Sequence, residues 1–136
     1  MRLGAPVSAD AHTPDAWAAA VRAAGYSAAY CPLDVTADDA TVAAYAQAAA
    51  EHDIVIAEVG AWAHNPVSAD PAVAEAGVAA CAERLRLADR IGARCCVNVA
   101  GSRSARWDGP HPDNLTPAHV ERVVRAVQAI IDRACP

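Results

Sequence analysis

The sequence of 136 residues contains no phenylalanine and few aromatic residues of any kind, 4% in total. Its basic residues are scattered singly and the formal net charge is -5, so the chain lacks the concentrated positive surface that duplex nucleic acid requires. No segment approaches the roughly 20 consecutive apolar residues of a membrane-spanning helix. These absences predict a protein with neither a nucleic-acid partner nor a membrane partner.

The five cysteines show no CxxC spacing and lie mostly in apolar segments, where a thiol behaves as a small hydrophobic group. Met1 and Arg2 lead directly into an apolar stretch, without a signal-like leader. Together these features predict a soluble protein of the reducing cytoplasm. The sequence also lacks the GxGxxG and GK[ST] motifs of nucleotide-binding folds, so a nucleotide-binding α/β domain loses its main support.

The sequence does contain a repeated unit of an apolar strand, a loop and a capped helix. The strands are predicted at residues 3–7, 27–33, 54–59 and 95–100. The helices are predicted to begin at Pro14 after Thr13, after a capping pair of Thr36 and Asp39, at Pro71 after Asp70, and at Pro117 after Thr116. The pattern stops after four such units.

Strands this apolar, each followed by a helix, indicate parallel βα repeats with right-handed crossovers. A small doubly wound domain fits this pattern, and so does half of a (βα)₈ barrel, whose full form needs about 250 residues. The missing glycine fingerprint favours the barrel half. We therefore predict one α/β domain over residues 1–136, a parallel (βα)₄ half of a TIM barrel with strand order 1-2-3-4 and all helices on one side.

Polar side chains are predicted at the carboxyl ends of the third and fourth strands. By alternation, Ile54, Ile56 and Glu58 share a face, so Glu58 either contacts a ligand or pairs with a loop arginine, because an unpaired buried carboxylate is costly. Asn98 either contacts a ligand or caps the loop that follows. The predicted substrate-binding residues, with Glu58 and Asn98 as neighbours, are Glu58, Trp62, Asn98 and Arg103.

Three segments resemble the sugar phosphate isomerase/epimerase family, which has the xylose isomerase-like TIM barrel. They are IVIAEVGAW at residues 54–62, IGARCCVNVAGSR at residues 91–103 and WDGPHPDNLTP at residues 107–117. The resemblance covers essentially the whole chain but corresponds only to the first four strands of that barrel. It implies a sugar or sugar phosphate ligand and proton transfer between neighbouring carbons, often through a cis-enediol.

The resemblance also implies a divalent metal, Mn, Co or Mg, for the complete barrel. In that family the ligands are a Glu, an Asp, a His and a Glu, carried mainly by later strands, so no metal ligand is assigned here. The related apurinic endonuclease branch places metal-binding histidines where this chain has Glu58 and Asn98. A role in DNA repair is therefore disfavoured, and the chain alone is expected to bind no catalytic metal tightly and to be inactive.

A second interpretation belongs to another functional class. In it the chain is a non-catalytic α/β domain that binds a small molecule or a partner through the loops after the third and fourth strands. Either interpretation leaves two strand edges open, and open edges favour self-association. Four more βα units downstream, with Glu, Asp, His and Glu at strand ends, would favour the enzyme.

Overall fold

A computed structural model describes residues 1–9 and 12–135 of the chain. Strands and helices alternate along it, as the repeated unit predicts. The elements are β1 (Gly4–Ala5), α1 (Pro14–Ala23), β2 (Ala28–Tyr30), α2 (Asp39–Glu51), β3 (Val55–Ala61), α3 (Pro71–Ile91), β4 (Cys95–Asn98), a short 3₁₀ helix (Pro112–Leu115) and α4 (Pro117–Ala134).

The four strands form one sheet in the order β1-β2-β3-β4, with parallel pairing. A doubly wound sheet would reverse its strand order at a switch point, and this sheet does not. The predicted fold class is therefore confirmed: the chain is an α/β protein with the strand order of one half of a (βα)₈ barrel, and the described strands do not close into a full barrel.

The first two strands are shorter than predicted because proline follows each of them. Pro6 comes directly after β1, and Pro32 follows β2 by two residues. Proline has no backbone N–H group to donate to a neighbouring strand, so regular pairing ends near it. In contrast, β3 has no proline nearby and continues to Ala61, beyond the predicted end.

Helices α1, α3 and α4 begin at the predicted prolines, but the predicted cap of α2 is wrong. The residue that caps α2 is Asp38, whose carboxylate accepts a hydrogen bond of 2.7 Å from the backbone N–H of Thr41. Thr36 instead bonds the carboxylate of Asp34. Aspartate is as good an N-cap as threonine, and here it stands next to the first helical residue.

The chain divides into two compact units, Met1–Gly60 with Arg86–Cys96, and Ala61–Leu85 with the chain from Val97 onward. In the first unit, α1, α2 and the last turns of α3 pack on the strands in one hydrophobic cluster. The rings of Trp17 and Tyr45 lie 5.7 Å apart within this cluster. These three helical segments therefore cover one face of the sheet.

β3 carries a register irregularity that decides where Glu58 points. Its pairing with β2 passes from Ile56 to Glu58 and skips Ala57. Ile56 and Val59 both belong to the hydrophobic cluster. Since neighbouring residues of a strand point to opposite faces, Glu58 lies on the face away from that cluster. The prediction that Glu58 shares a face with Ile54 and Ile56 is therefore wrong.

Helix α4 leaves part of its apolar surface exposed. His119, Ala126 and Ile130 are buried, whereas a row of apolar side chains beside them is 43–63% exposed. The exposed row consists of Val120, Val124, Val127 and Ile131. Despite these residues, no helix in the described ranges is long and apolar enough to cross a membrane.

Two exposed carboxylates have pKa values below the ordinary range in the folded protein. The pKa of Asp38 is lowered mainly by the N–H of Thr41 that it accepts at the start of α2. The pKa of Asp53 is lowered by the Arg2 guanidinium, which donates to its carboxylate over 2.6 Å. Their contribution to the free energy of unfolding is complete above the unfolded pKa and is lost as the pH falls through the folded pKa values.

We therefore expect stability to fall between about pH 5 and pH 2, and to fall less in Asp38→Asn. Asparagine also caps a helix but does not titrate, so this variant keeps the hydrogen bond and loses the proton linkage. Urea denaturation at a series of pH values measures the effect. The control is Asp89→Asn, an exposed carboxyl in the last turns of α3. Equal pH profiles for wild type and Asp38→Asn would contradict the prediction.

Candidate functional site

A cavity of about 270 Å³ lies in the first unit, beyond the carboxyl ends of β1 and β2. Ligands of parallel α/β folds bind at this end of the strands. The wall combines aromatic side chains with polar groups of serine, histidine and tyrosine, which can orient a small molecule. Its described lining residues are Pro6, Val7, Ser8, Ala9, His12, Trp17, Tyr30, Cys31, Pro32 and Tyr45.

Three of the six tryptophan and tyrosine residues of the chain line this cavity. Trp17 is 2% exposed, and its indole Nε1 has no hydrogen-bond partner among the described residues. Trp17 in α1 and Tyr45 in α2 both pack in the hydrophobic cluster. The sequence does not indicate that both also reach a cavity. The signal for this cavity that the sequence does offer is that aromatic residues are scarce in the rest of the chain.

Glu58 is next to this cavity in the sheet. Its register partner on β2 is Tyr30, which lines the cavity, and its backbone C=O accepts a hydrogen bond of 2.9 Å from the N–H of Cys31. Ala29 belongs to the hydrophobic cluster, so Tyr30 and Glu58 share the opposite face. The structure therefore places the predicted Glu58 beside a residue that the sequence did not single out.

The side chain of Glu58 is half-buried. Its Oε1 atom is buried and accepts no hydrogen bond from any described residue. The salt bridge to a loop arginine, considered from the sequence, does not occur within residues 1–9 and 12–135. A buried carboxylate oxygen without a donor costs free energy, and such costs concentrate at binding sites.

The other three predicted residues belong to the second unit. Trp62 is 47% exposed just beyond β3, and Asn98 is exposed at the end of β4. Arg103 holds two loops together, because its Nη1 donates to the backbone oxygens of Val67 and Ser68 over 3.1 and 2.7 Å. A direct contact of these residues with substrate stays a prediction.

Strand alternation gives no support to a contact between Glu58 and Asn98. In β4, Cys96 packs against the hydrophobic cluster, and Asn98 follows two residues later on the same face of that strand. Glu58 is on the opposite face of its own strand. The contact predicted between the Glu58 and Asn98 side chains therefore stays a prediction, which the alternation of the two strands does not support.

The loops after β3 and β4 are joined by a buried amide contact. The side chain of Asn65 donates from Nδ2 to the backbone O of Ser102 over 2.8 Å, and its Oδ1 accepts from the N–H of Ser102 over 3.0 Å. Both residues are buried, at 5% and 2% exposure. Asn114 extends the network by accepting the N–H of Arg103 and donating to the C=O of Gly109. The second unit thus has loops fixed by specific side-chain hydrogen bonds.

Asn65 is a residue that the sequence analysis missed. It contacts Ser102 across 37 positions of sequence, so no local motif joins the two. Gly101 is required beside them, since its φ is +89° and a Cβ there would lie 2.4 Å from the Asn65 Oδ1. The one local signal was this glycine at the end of an apolar strand.

Another cavity, of about 600 Å³, lies in the second unit and is lined in part by His64. Burial lowers the pKa of His64, and the charge of Arg84 lowers it further, so the neutral imidazole is favoured. Trp107 and Asp108 also line this cavity, and Asp108 is held by Arg106 through two hydrogen bonds. A neutral histidine can accept or donate a proton, but no hydrogen bond of its ring occurs among the described residues.

The described side chains do not fit the divalent metal that the resemblance implies. A catalytic metal usually needs about three protein ligands and an open position. No group of three or more His, Cys, Asp or Glu residues in the described part of the chain is arranged to hold an ion. We therefore assign no chemical step to a metal held by these residues.

Comparison with protein-family models, with curated protein sequences and with solved structures finds no match to this chain. The fold therefore stands on the strand order and the alternating elements alone. Any activity has to be argued from the cavities and polar side chains described above.

Proposed function

We propose that this chain forms the first four βα units of a sugar isomerase or epimerase barrel of the xylose isomerase-like type. The observation that carries the proposal is the buried Oε1 of Glu58, which accepts no hydrogen bond from residues 1–9 and 12–135. Glu58 lies on the face opposite the hydrophobic cluster and in register with Tyr30 of the aromatic cavity. The strand order supports it, because the carboxyl ends of barrel strands form the ligand site.

A sugar suits this combination of groups. A carboxylate accepts hydrogen bonds from the hydroxyl groups of a sugar, and aromatic rings pack against its C–H faces. The role proposed for the chain is to bind and orient the sugar. Proton transfer between neighbouring carbons needs further groups, which we assign to the rest of a complete barrel together with its divalent metal, Mn, Co or Mg. The 136-residue chain alone is therefore expected to bind a sugar without turning it over.

The alternative function is a non-catalytic domain that binds a small molecule. What favours it is that every described residue lining the aromatic cavity belongs to the first unit, whose described residues offer no set of metal ligands. The two functions share the ligand site and differ in chemistry. Exchange of carbon-bound hydrogen separates them, because a cis-enediol intermediate lets the C–H proton next to a carbonyl exchange with solvent.

We expect Glu58→Gln to raise the free energy of unfolding by about 1 kcal/mol and to weaken ketose binding by about tenfold or more. The gain in stability arises because a neutral amide is cheaper to bury than a carboxylate. The loss of binding arises because a charged acceptor is removed. Urea denaturation and calorimetric titration with fructose and fructose 6-phosphate measure the two effects. The matched control is Glu51→Gln, the same change at an exposed position of α2.

A chain that binds neither ketose, or a Glu58→Gln variant that binds as well as wild type, would refute the proposal. Hydrogen exchange in D₂O, followed by proton NMR with Mn²⁺, Co²⁺ or Mg²⁺ present, tests the chemistry. We expect the longest natural form of the protein to exchange the carbon-bound hydrogen of the sugar. The 136-residue chain is expected not to exchange it. Binding without exchange by that longest form would favour the non-catalytic alternative.

A further inference from the structure

Three arginine side chains line one cavity of about 300 Å³ in the second unit. Arg103 comes from the loop after β4, and Arg122 and Arg125 come from the first half of α4. The rest of the wall is formed by Ser68 and small or apolar residues. We call this space the triple-arginine cavity.

The positive charge of this cavity is poorly compensated. Arg122 makes no hydrogen bond or ion pair within the described ranges. In the same part of the chain, Arg125 pairs with the carboxylate of Glu121, at 3.7 Å on the exposed surface of the same helix. Such exposed pairs contribute little because water screens them. Three guanidinium groups therefore line the cavity with one weakly held carboxylate beside them.

Arg103 adds a second and independent observation. Two backbone oxygens hold its Nη1, which fixes the guanidinium in place. Its Nε is buried and has no hydrogen-bond acceptor among the described residues. A buried N–H donor without an acceptor is uncommon and costs free energy until an acceptor binds. The cavity thus combines excess positive charge with an unused buried donor.

We propose that the triple-arginine cavity binds the phosphate group of a small phosphate monoester. Arginine is suited to this ligand because its planar fork donates two parallel hydrogen bonds to phosphate oxygens. The volume is at the lower end of the range for small-molecule sites. The chain as a whole has a charge of -5, so this cluster is not part of a generally basic surface. The inference rests on the second unit alone and does not depend on the isomerase proposal.

The test is a calorimetric titration of the full chain with glycerol 3-phosphate, with glycerol and inorganic phosphate as comparison ligands, in about 150 mM NaCl to screen diffuse attraction. We expect glycerol 3-phosphate to bind and glycerol not to bind. Arg122→Gln and Arg125→Gln should each weaken binding by about tenfold or more, and Arg122→Lys by less, since lysine keeps the charge but loses the fork. Both arginines lie on the surface of α4, so these variants should keep the wild-type circular dichroism and thermal midpoint.

The matched control is Arg94→Gln, which makes the same charge change in the first unit, and it should bind within about twofold of wild type. Equal weakening by Arg94→Gln, or no binding of glycerol 3-phosphate, would overturn the proposal. So would binding of inorganic phosphate alone, which would indicate a site for the free anion. Tighter, arginine-dependent binding of a short single-stranded DNA would overturn it in favour of a nucleic-acid contact.

Discussion

Replacing Asn65 by aspartate is expected to lower the free energy of unfolding by about 3–5 kcal/mol, a large part of the total stability of a small protein. The Asn65 side chain is 5% exposed and satisfies both the N–H and the C=O of Ser102. Aspartate keeps the acceptor toward the N–H. It replaces the amide donor with an oxygen that repels the Ser102 carbonyl, and it buries a negative charge.

Urea denaturation followed by circular dichroism measures this loss. The matched control is Asn98→Asp, the same chemical change at an exposed position, which should alter the free energy of unfolding by less than about 0.5 kcal/mol. Hydrogen exchange adds a local readout, since the amide of Ser102 should lose protection in Asn65→Asp. Equal stabilities for the two variants would show that the contact between the loops contributes nothing.

Gly77→Ala is expected to lower the free energy of unfolding by about 2 kcal/mol, although alanine is the better helix former. Gly77 lies inside α3, where helix propensity alone would predict a gain of about 1 kcal/mol. A Cβ at this position would lie 2.7 Å from the backbone C of Asn65 and 2.8 Å from the N of Pro66. Those atoms belong to a loop that Asn65 and Arg103 hold in place, so they cannot move away cheaply.

Ala76→Gly is the control for the Gly77 prediction, because Ala76 is the exposed neighbour on the same helix. It should lower the free energy of unfolding by about 1 kcal/mol through propensity alone. Thermal and urea denaturation of both variants separate the two causes. A Gly77→Ala protein more stable than wild type would mean that the loop moves away from α3 without resistance.

The features that the sequence predicted correctly are those specified by nearby residues. Proline at the first helical position and a capping residue before it place the starts of α1, α3 and α4. Repetition of the unit indicates parallel pairing, and the missing nucleotide motifs favour the barrel strand order, which the structure has. Errors of local detail, such as the cap of α2, arise because Thr36, Asp38 and Asp39 are all residue types that suit a cap, and the residue used is Asp38.

The site was less predictable because its determinants are not local. Counting alternate residues along β3 fails at Ala57, since a register irregularity depends on the pairing with β2 and leaves no motif in the sequence. The contact between Asn65 and Ser102, and the meeting of Arg103 with Arg122 and Arg125, join loops and helices that are distant along the chain. Residue type suggested Glu58 and Arg103, but not their neighbours.

The skipped Ala57 makes β3 one residue longer than regular pairing with β2 requires. Deleting Ala57 would restore regular alternation and leave Ile56 and Glu58 as neighbours, so their side chains would still point to opposite faces. Their register partners, Ala29 and Tyr30, would also stay the same. Among relatives of this protein, the spacing between Ile56 and the acidic residue is therefore expected to vary by one residue, and a strand shortened at this point is expected to keep the carboxylate beside Tyr30.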